Sequence, residues 1–202
     1  MLGLMQDHPL LISSIFEHAV GNYGKQEIVS NTVEGGIHRY NYSSWGERTK
    51  KLANALKSLN LNQGDKVGTL AWNGYRHLEI YYATSCSGLI CHTLNPRLHP
   101  DQVSYIVNHA EDKVLCVDLN ILPLIEKASE NFKTVEALVI MTDEKNMIKP
   151  NIKDGIKIIC YEEFIKDQSE EYIWPQLDEK TASSLCYTSG TTGNPKGVLY
   201  SH

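Results

Sequence analysis

Between Lys66 and Cys160 the chain alternates short apolar runs with stretches of helical periodicity. That alternation restricts the fold more than any other feature. The runs Lys66 to Trp72, Leu89 to Leu94, Lys113 to Val117, Val135 to Met141 and Ile156 to Cys160 are strand-length and rich in β-formers. Helical segments separate them: 74–86 with Tyr75, Leu78 and Tyr82 on one side, a helix opened by Pro100 with Val103, Ile106, Val107 and Ala110 inward, and residues 119–130. A short helix over 161–167 follows the last run. Strands apolar on both faces and joined by helices predict an α/β fold, a largely parallel sheet flanked by helices with right-handed crossovers.

The segments outside this region are expected to be simpler. Residues 10–20 read as an opening helix stopped by Gly21, and 26–42 as a hairpin turning at Glu34-Gly35-Gly36. Ser44 and Glu47 have capping-box spacing, and Leu52, Leu56 and Leu59 continue a helix to about Asn60. Residues 142–155 and 167–181 read as loops. The organisation expected is 1–60 for opening helices and hairpin, 61–181 for the βαβ region, and 182–202 for a final strand (183–187) and a loop feeding a helix.

That loop, Thr188 to Gly197, concentrates the chemistry. It holds three glycines, four Ser/Thr hydroxyls, Pro195 and Lys196. Glycines admit positive φ and close backbone approach, here at Gly190, Gly193 and Gly197. Successive N–H groups in such a turn form an anion-binding nest. Hydroxyls of Thr188, Ser189, Thr191 and Thr192 donate to phosphate oxygens or ligate Mg²⁺, and Lys196 is a flexible point charge for phosphate. Walker A spacing fails, because Pro195 stands where its second glycine belongs and Gly197 follows the lysine. By composition alone a surface loop accounts for the same residues equally well.

The ordered string Tyr187-Thr-Ser-Gly-Thr-Thr-Gly-Asn-Pro-Lys-Gly197 is more specific. It resembles the phosphate-binding motif of the adenylate-forming (AMP-binding) superfamily of acyl-CoA synthetases, peptide-synthetase adenylation domains and luciferases. The segments Trp72 to Glu79, Cys91 to Leu98 and Ala182 to Tyr187 resemble the bacterial medium/long-chain fatty-acid–CoA ligase branch, which includes 3-(methylthio)propionyl-CoA ligases. The resemblance implies an acid–thiol ligase using ATP, Mg²⁺ and coenzyme A. It implies phosphate binding by Thr188, Ser189, Gly190, Thr191, Thr192, Gly193, Lys196 and Gly197, catalytic roles for Lys196 and Thr192, a metal contact at Thr188, and His202 near the acyl pocket. It also implies that residues 1–202 are the first part of a large N-terminal domain, with the adenine, ribose and CoA sites and the C-terminal lid domain outside them and the chain alone inactive. The alternatives are an aryl-CoA ligase, a peptide-synthetase adenylation domain, or a non-catalytic nucleotide-binding fragment.

Other residues weigh less. Cys86 and Cys91-His92 lack a second Cys/His pair at ligand spacing. His92 and His109 read as packed histidines before they read as bases. The pairs Glu111-Asp112, Glu162-Glu163 and Glu170-Glu171 read as solvated surface, and Arg97 as an exposed turn residue before a ligand contact. Five cysteines, an odd number with no CxxC, fit reduced thiols in the cytoplasm. A net charge of −5 with no basic stripe disfavours nucleic acid and anionic membranes as partners.

Overall fold

The computed structural model describes residues 1, 3–188 and 194–202. Helix α1 (Ile12–Tyr23) leads into a hairpin of β1 (Glu27–Asn31) and β2 (Ile37–Asn41), then α2 (Tyr42–Lys57). The βα region follows as β3 (Lys66–Leu70), α3 (Tyr75–Cys86), β4 (Ile90–Thr93), α4 (Pro100–Ala110), β5 (Asp112–Val117), α5 (Leu122–Ser129), β6 (Ala137–Ile140), β7 (Lys157–Cys160) and α6 (Tyr161–Lys166). The chain closes with β8 (Ala182–Thr188) and β9 (Lys196–Ser201).

Seven strands form one sheet in the order β7-β6-β5-β3-β4-β8-β9. Every pairing is parallel except β8 with β9. Alternate residues of β3, β5 and β6 serve two cores. Val67, Val114, Cys116 and Val139 join Phe16, Trp45, Leu52, Ile80 and Tyr161 on the α1/α2/α3/α6 face. Leu70, Leu115, Val117 and Ile140 join Val103, Ile106 and Ile125 under α4 and α5. The chain therefore leaves the C-terminal ends of neighbouring strands β3 and β4 toward opposite faces. In open α/β sheets such a switch point opens a ligand crevice.

Several expectations need correction. Helix α1 runs through Gly21 to Tyr23. The cap of α2 is Asn41, whose side chain accepts from the Ser44 N–H at 2.9 Å; Ser44 and Glu47 lie inside the helix. The helix ends at Lys57, short of Asn60. After the loop comes an antiparallel strand, β9, and no helix.

Two of the three carboxylate pairs are only half solvated. Asp112 is wholly buried, 2.8 Å from the Nδ1 of an equally buried His92. Glu162 bridges Arg48 at 3.0 Å and Arg76 at 2.8 Å. Arg48 also grips the buried Glu79 at 2.7 Å, and Glu79 accepts from the Tyr161 hydroxyl at 2.6 Å. Arg76 reaches Glu34 in the hairpin turn at 2.7 Å and the Met141 carbonyl at 2.9 Å. This network fastens α2, α3, α6 and the hairpin together. Glu34-Gly35-Gly36 makes that turn as expected, with φ of 97° and 102° at its glycines.

Candidate functional site

Strands β8 and β9 are the two posts of the glycine-rich loop. Their pairing ends with Tyr187 opposite Gly197 and Thr188 opposite Lys196. Thr188 is exposed, and its hydroxyl lies 3.5 Å from the Lys196 carbonyl, across the mouth of the loop. Lys196 is exposed as well. The register thus sets Thr188 and Lys196 opposite each other at the C-terminal end of β8. Ser189, Gly190, Thr191, Thr192 and Gly193 lie outside the described residues.

Gly197 does not use the positive φ that composition suggests. It is a strand residue without positive φ. A Cβ there would stand 3.1 Å from Cζ of Tyr187 and 3.2 Å from Cδ1 of Leu185. The glycine makes room for the Tyr187 ring, which lies against the backbone of the opposite strand.

Two clefts open on either side of β4, one of them against the posts. One, of about 390 Å³, is walled by Leu94, Asn95, Leu98, Ile106, Tyr187, Thr188 and Pro195. The other, of about 440 Å³, is walled by Ser30, Asn73, Gly74, His77, Leu78 and Tyr81. Thr93 borders both, and its hydroxyl stands 3.1 Å from the Cys186 sulfur. Both clefts have mainly apolar walls with a few polar groups, the usual character of small-molecule sites. Arg97 is exposed on the turn after β4, with its guanidinium 5.9 Å from the Trp72 ring.

His202 is not brought to the loop. It follows the far end of β9, where Ser201 pairs with Ala182, about 20 Å of strand from Lys196. Its Nδ1 accepts from the Ile12 N–H at 3.3 Å, capping the start of α1, and burial lowers its pKa. Cys86 and Cys91 are buried thiols, and burial pushes Cys91 up to about 12. Among the described residues, no group of three or more His, Cys, Asp or Glu side chains is placed to hold a metal. No helix among them is long and apolar enough to cross a membrane.

Sequence reasoning missed the group around Tyr187. Its hydroxyl bonds His109 Nδ1 on α4, and its ring lies 5.3 Å from that of His92. The only sequence signal for it is the Tyr187–Gly197 string itself, because the partners lie 78 and 95 residues upstream of Tyr187.

Comparison with known proteins places this geometry in context. A family model described as AMP-binding enzyme matches residues 16–202. The chain is 48% identical over 202 residues to 3-methylmercaptopropionyl-CoA ligase of Ruegeria pomeroyi, covering all of this chain and 37% of that protein. It is 46% identical to medium-chain-fatty-acid–CoA ligase of Ectopseudomonas oleovorans, covering 100% of this chain and 36% of that one. Among solved structures, anthranilate CoA ligase AuaEII in complex with anthranoyl-AMP superposes with a TM-score of 0.81 at 25% identity, over 98% of this chain and 36% of that one. The chain therefore spans little more than a third of the length of these relatives.

Proposed function

We propose, from the premise that this chain belongs to the AMP-binding enzyme family, that it is part of an ATP-dependent acid–thiol ligase and supplies the phosphate-binding loop. In the reaction proposed, a carboxylate attacks the α-phosphate of ATP and pyrophosphate leaves. The thiol of coenzyme A then attacks the acyl-adenylate and AMP leaves. The observation that carries this reading is the Tyr187–Gly197 string hung between β8 and β9, with Thr188 and Lys196 paired at its mouth beside the crevice.

Positioning and charge neutralisation dominate such a reaction. The hydroxyls of Thr188, Ser189, Thr191 and Thr192, and the backbone at Gly190, Gly193 and Gly197, hold the β- and γ-phosphates. Lys196 offsets the charge that develops on pyrophosphate. Thr188 would offer a hydroxyl oxygen to Mg²⁺, which would supply further charge neutralisation when bound. Its place at the start of α1, beyond the far end of β9, leaves His202 outside this set.

The acid we propose is aliphatic, a fatty or short-chain carboxylate with methylthiopropionate among the candidates. Relatives named for such acids are 46–48% identical, whereas the anthranilate ligase structure is 25% identical. An aryl acid is the competing substrate class, and a panel of both separates them.

The test is acid-dependent ATP–pyrophosphate exchange in the full-length polypeptide. Lys196→Ala and Thr192→Ala are each expected to raise the barrier by about 2–4 kcal/mol, a loss of roughly 30- to 1000-fold. Unfolding should shift by less than about 0.5 kcal/mol for Lys196→Ala, an exposed site. Unchanged exchange in both variants would remove the loop from the reaction.

A further inference from the structure

The exposed end of α4 carries a histidine that the reaction as described does not use. His109 Nδ1 is hydrogen-bonded to the Tyr187 hydroxyl at 2.5 Å, and the imidazole is stacked on Tyr105 one turn earlier, at 5.5 Å and 22°. Burial, with the Asp112 charge as the next cause, pushes the Tyr187 phenol up to about 12, so it keeps its proton at neutral pH. The ring beneath that hydroxyl is confined on two more sides. The buried His92, fixed by Asp112, lies 5.3 Å away, and Gly197 of the opposite strand is close enough that a Cβ there would stand 3.1 Å from the ring.

Tyr187 therefore touches both posts of the loop at once. It belongs to β8, one residue before Thr188, and its ring rests on the residue after Lys196 in β9. A ring free to swing would let the two strands shift where Thr188 meets Lys196.

We propose that His109 is a positioning residue for the phosphate loop: through its hydrogen bond to Tyr187 it clamps that ring on Gly197 and so sets the spacing of Thr188 and Lys196. This rests on the reading of the loop as the phosphate site. It assigns α4 two duties, since Leu98 just before it and Ile106 within it wall the adjoining cleft while His109 braces the loop's base.

The experiment measures steady-state exchange in the full-length polypeptide with MgATP and acid varied separately. His109→Leu, which removes the hydrogen bond, is expected to raise the KM for MgATP about 3- to 10-fold, the scale of one side-chain hydrogen bond. The KM for the acid should stay within about twofold. Tyr187→Phe should do the same, and the double variant no more than either single, because both remove one bond. His109→Asn, whose amide stands where Nδ1 stood, should restore most of the MgATP affinity. The positioning role is overturned if His109→Leu leaves the KM for MgATP unchanged, if its effect adds to that of Tyr187→Phe, or if Asn behaves like Leu. A fall in kcat that tracks a lowered melting temperature, with KM unmoved, also overturns it. Lys196→Ala in the same assay separates the two failures: if it too has no effect, the phosphate-loop reading falls and the positioning role falls with it.

Discussion

Replacing Glu79 by leucine tests the claim that a buried ionic network holds the helical face together. The carboxylate is 0% exposed and accepts from Arg48 Nε at 2.7 Å, Arg48 Nη2 at 3.1 Å and the Tyr161 hydroxyl at 2.6 Å. Breaking a buried ion pair by removing one partner costs about 3–5 kcal/mol. The lower end applies here, because the Arg48 side chain is 25% exposed and keeps Glu162 at 3.0 Å. The Tyr161 hydroxyl, in a wholly buried residue, is left without its acceptor, which adds about 1–3 kcal/mol. The apolar surface of the new leucine offsets part of this, leaving a loss of about 4 kcal/mol. At about 2–4 °C per kcal/mol for a chain of this size, the melting temperature should fall by about 8–16 °C. Urea unfolding followed by circular dichroism measures the free energy, and a thermal scan with the same probe measures the melting temperature. Combining Glu79→Leu with Arg48→Met removes both charges and leaves Glu162 to Arg76, so the double variant should be at least about 2 kcal/mol more stable than additivity predicts. A cost under about 1 kcal/mol for Glu79→Leu, or strict additivity, would show that the pair is not energetically coupled.

Three further outcomes are expected. Burial acts to raise the Glu162 carboxyl, but the hydrogen bonds and charges of Arg48 and Arg76 outweigh it and hold the group below the usual glutamate range. Its stabilising contribution is therefore complete above the ordinary glutamate pKa of about 4.3 and is lost as pH falls through the lower folded value, so Glu162→Gln should flatten the acid limb of stability against pH. Burial also raises the pKa of Cys86, Cys91 and Cys116, so a thiol reagent should label only Cys160 and Cys186 quickly in the native chain, and all five cysteines in denaturant. Finally, residues 1–202 alone should bind ATP at millimolar affinity or weaker and make no acyl-CoA: exposed contacts worth about 1 kcal/mol each face an association cost of at least about 4 kcal/mol. Acid-dependent pyrophosphate release by the purified 202-residue chain would refute this.

The parts of the fold legible in the sequence are those governed by local pattern. Val114 to Val117 and Ala137 to Ile140 are apolar on both faces, which marks central parallel strands, and Pro100 marks the start of α4 because its ring suits a first helical turn. Strand β9 escaped because a glycine-rich loop after a parallel strand usually opens a helix. The run Val198-Leu199-Tyr200 was the available contrary signal, three β-formers without helical periodicity. The α2 cap was misplaced because Ser44 and Asn41 both suit an N-cap and the spacing to Glu47 favoured the wrong one.

The charged residues show where local reading ends. Glu162 and Glu163 are adjacent and chemically alike, yet Glu162 meets two guanidiniums 114 and 86 residues away in sequence while Glu163 pairs with Lys166 on the exposed face of its own helix. Asp112 differs from Glu111 in the same way: one faces His92 inside the sheet and the other turns the chain at a φ of 60°. No spacing rule separates the members of such pairs, because the decisive partner arrives by topology. Gly197 is the corresponding case at the candidate site. Its motif position marks it as a loop glycine, and the register of β8 on β9 also sets it under the Tyr187 ring, a packing duty that the motif alone does not reveal. On the proposed reading the motif combines two physical demands, a turn that admits phosphate and a strand pair that holds the turn's ends. The second demand connects the loop to α4, and through Asp112 and His92 to the centre of the sheet.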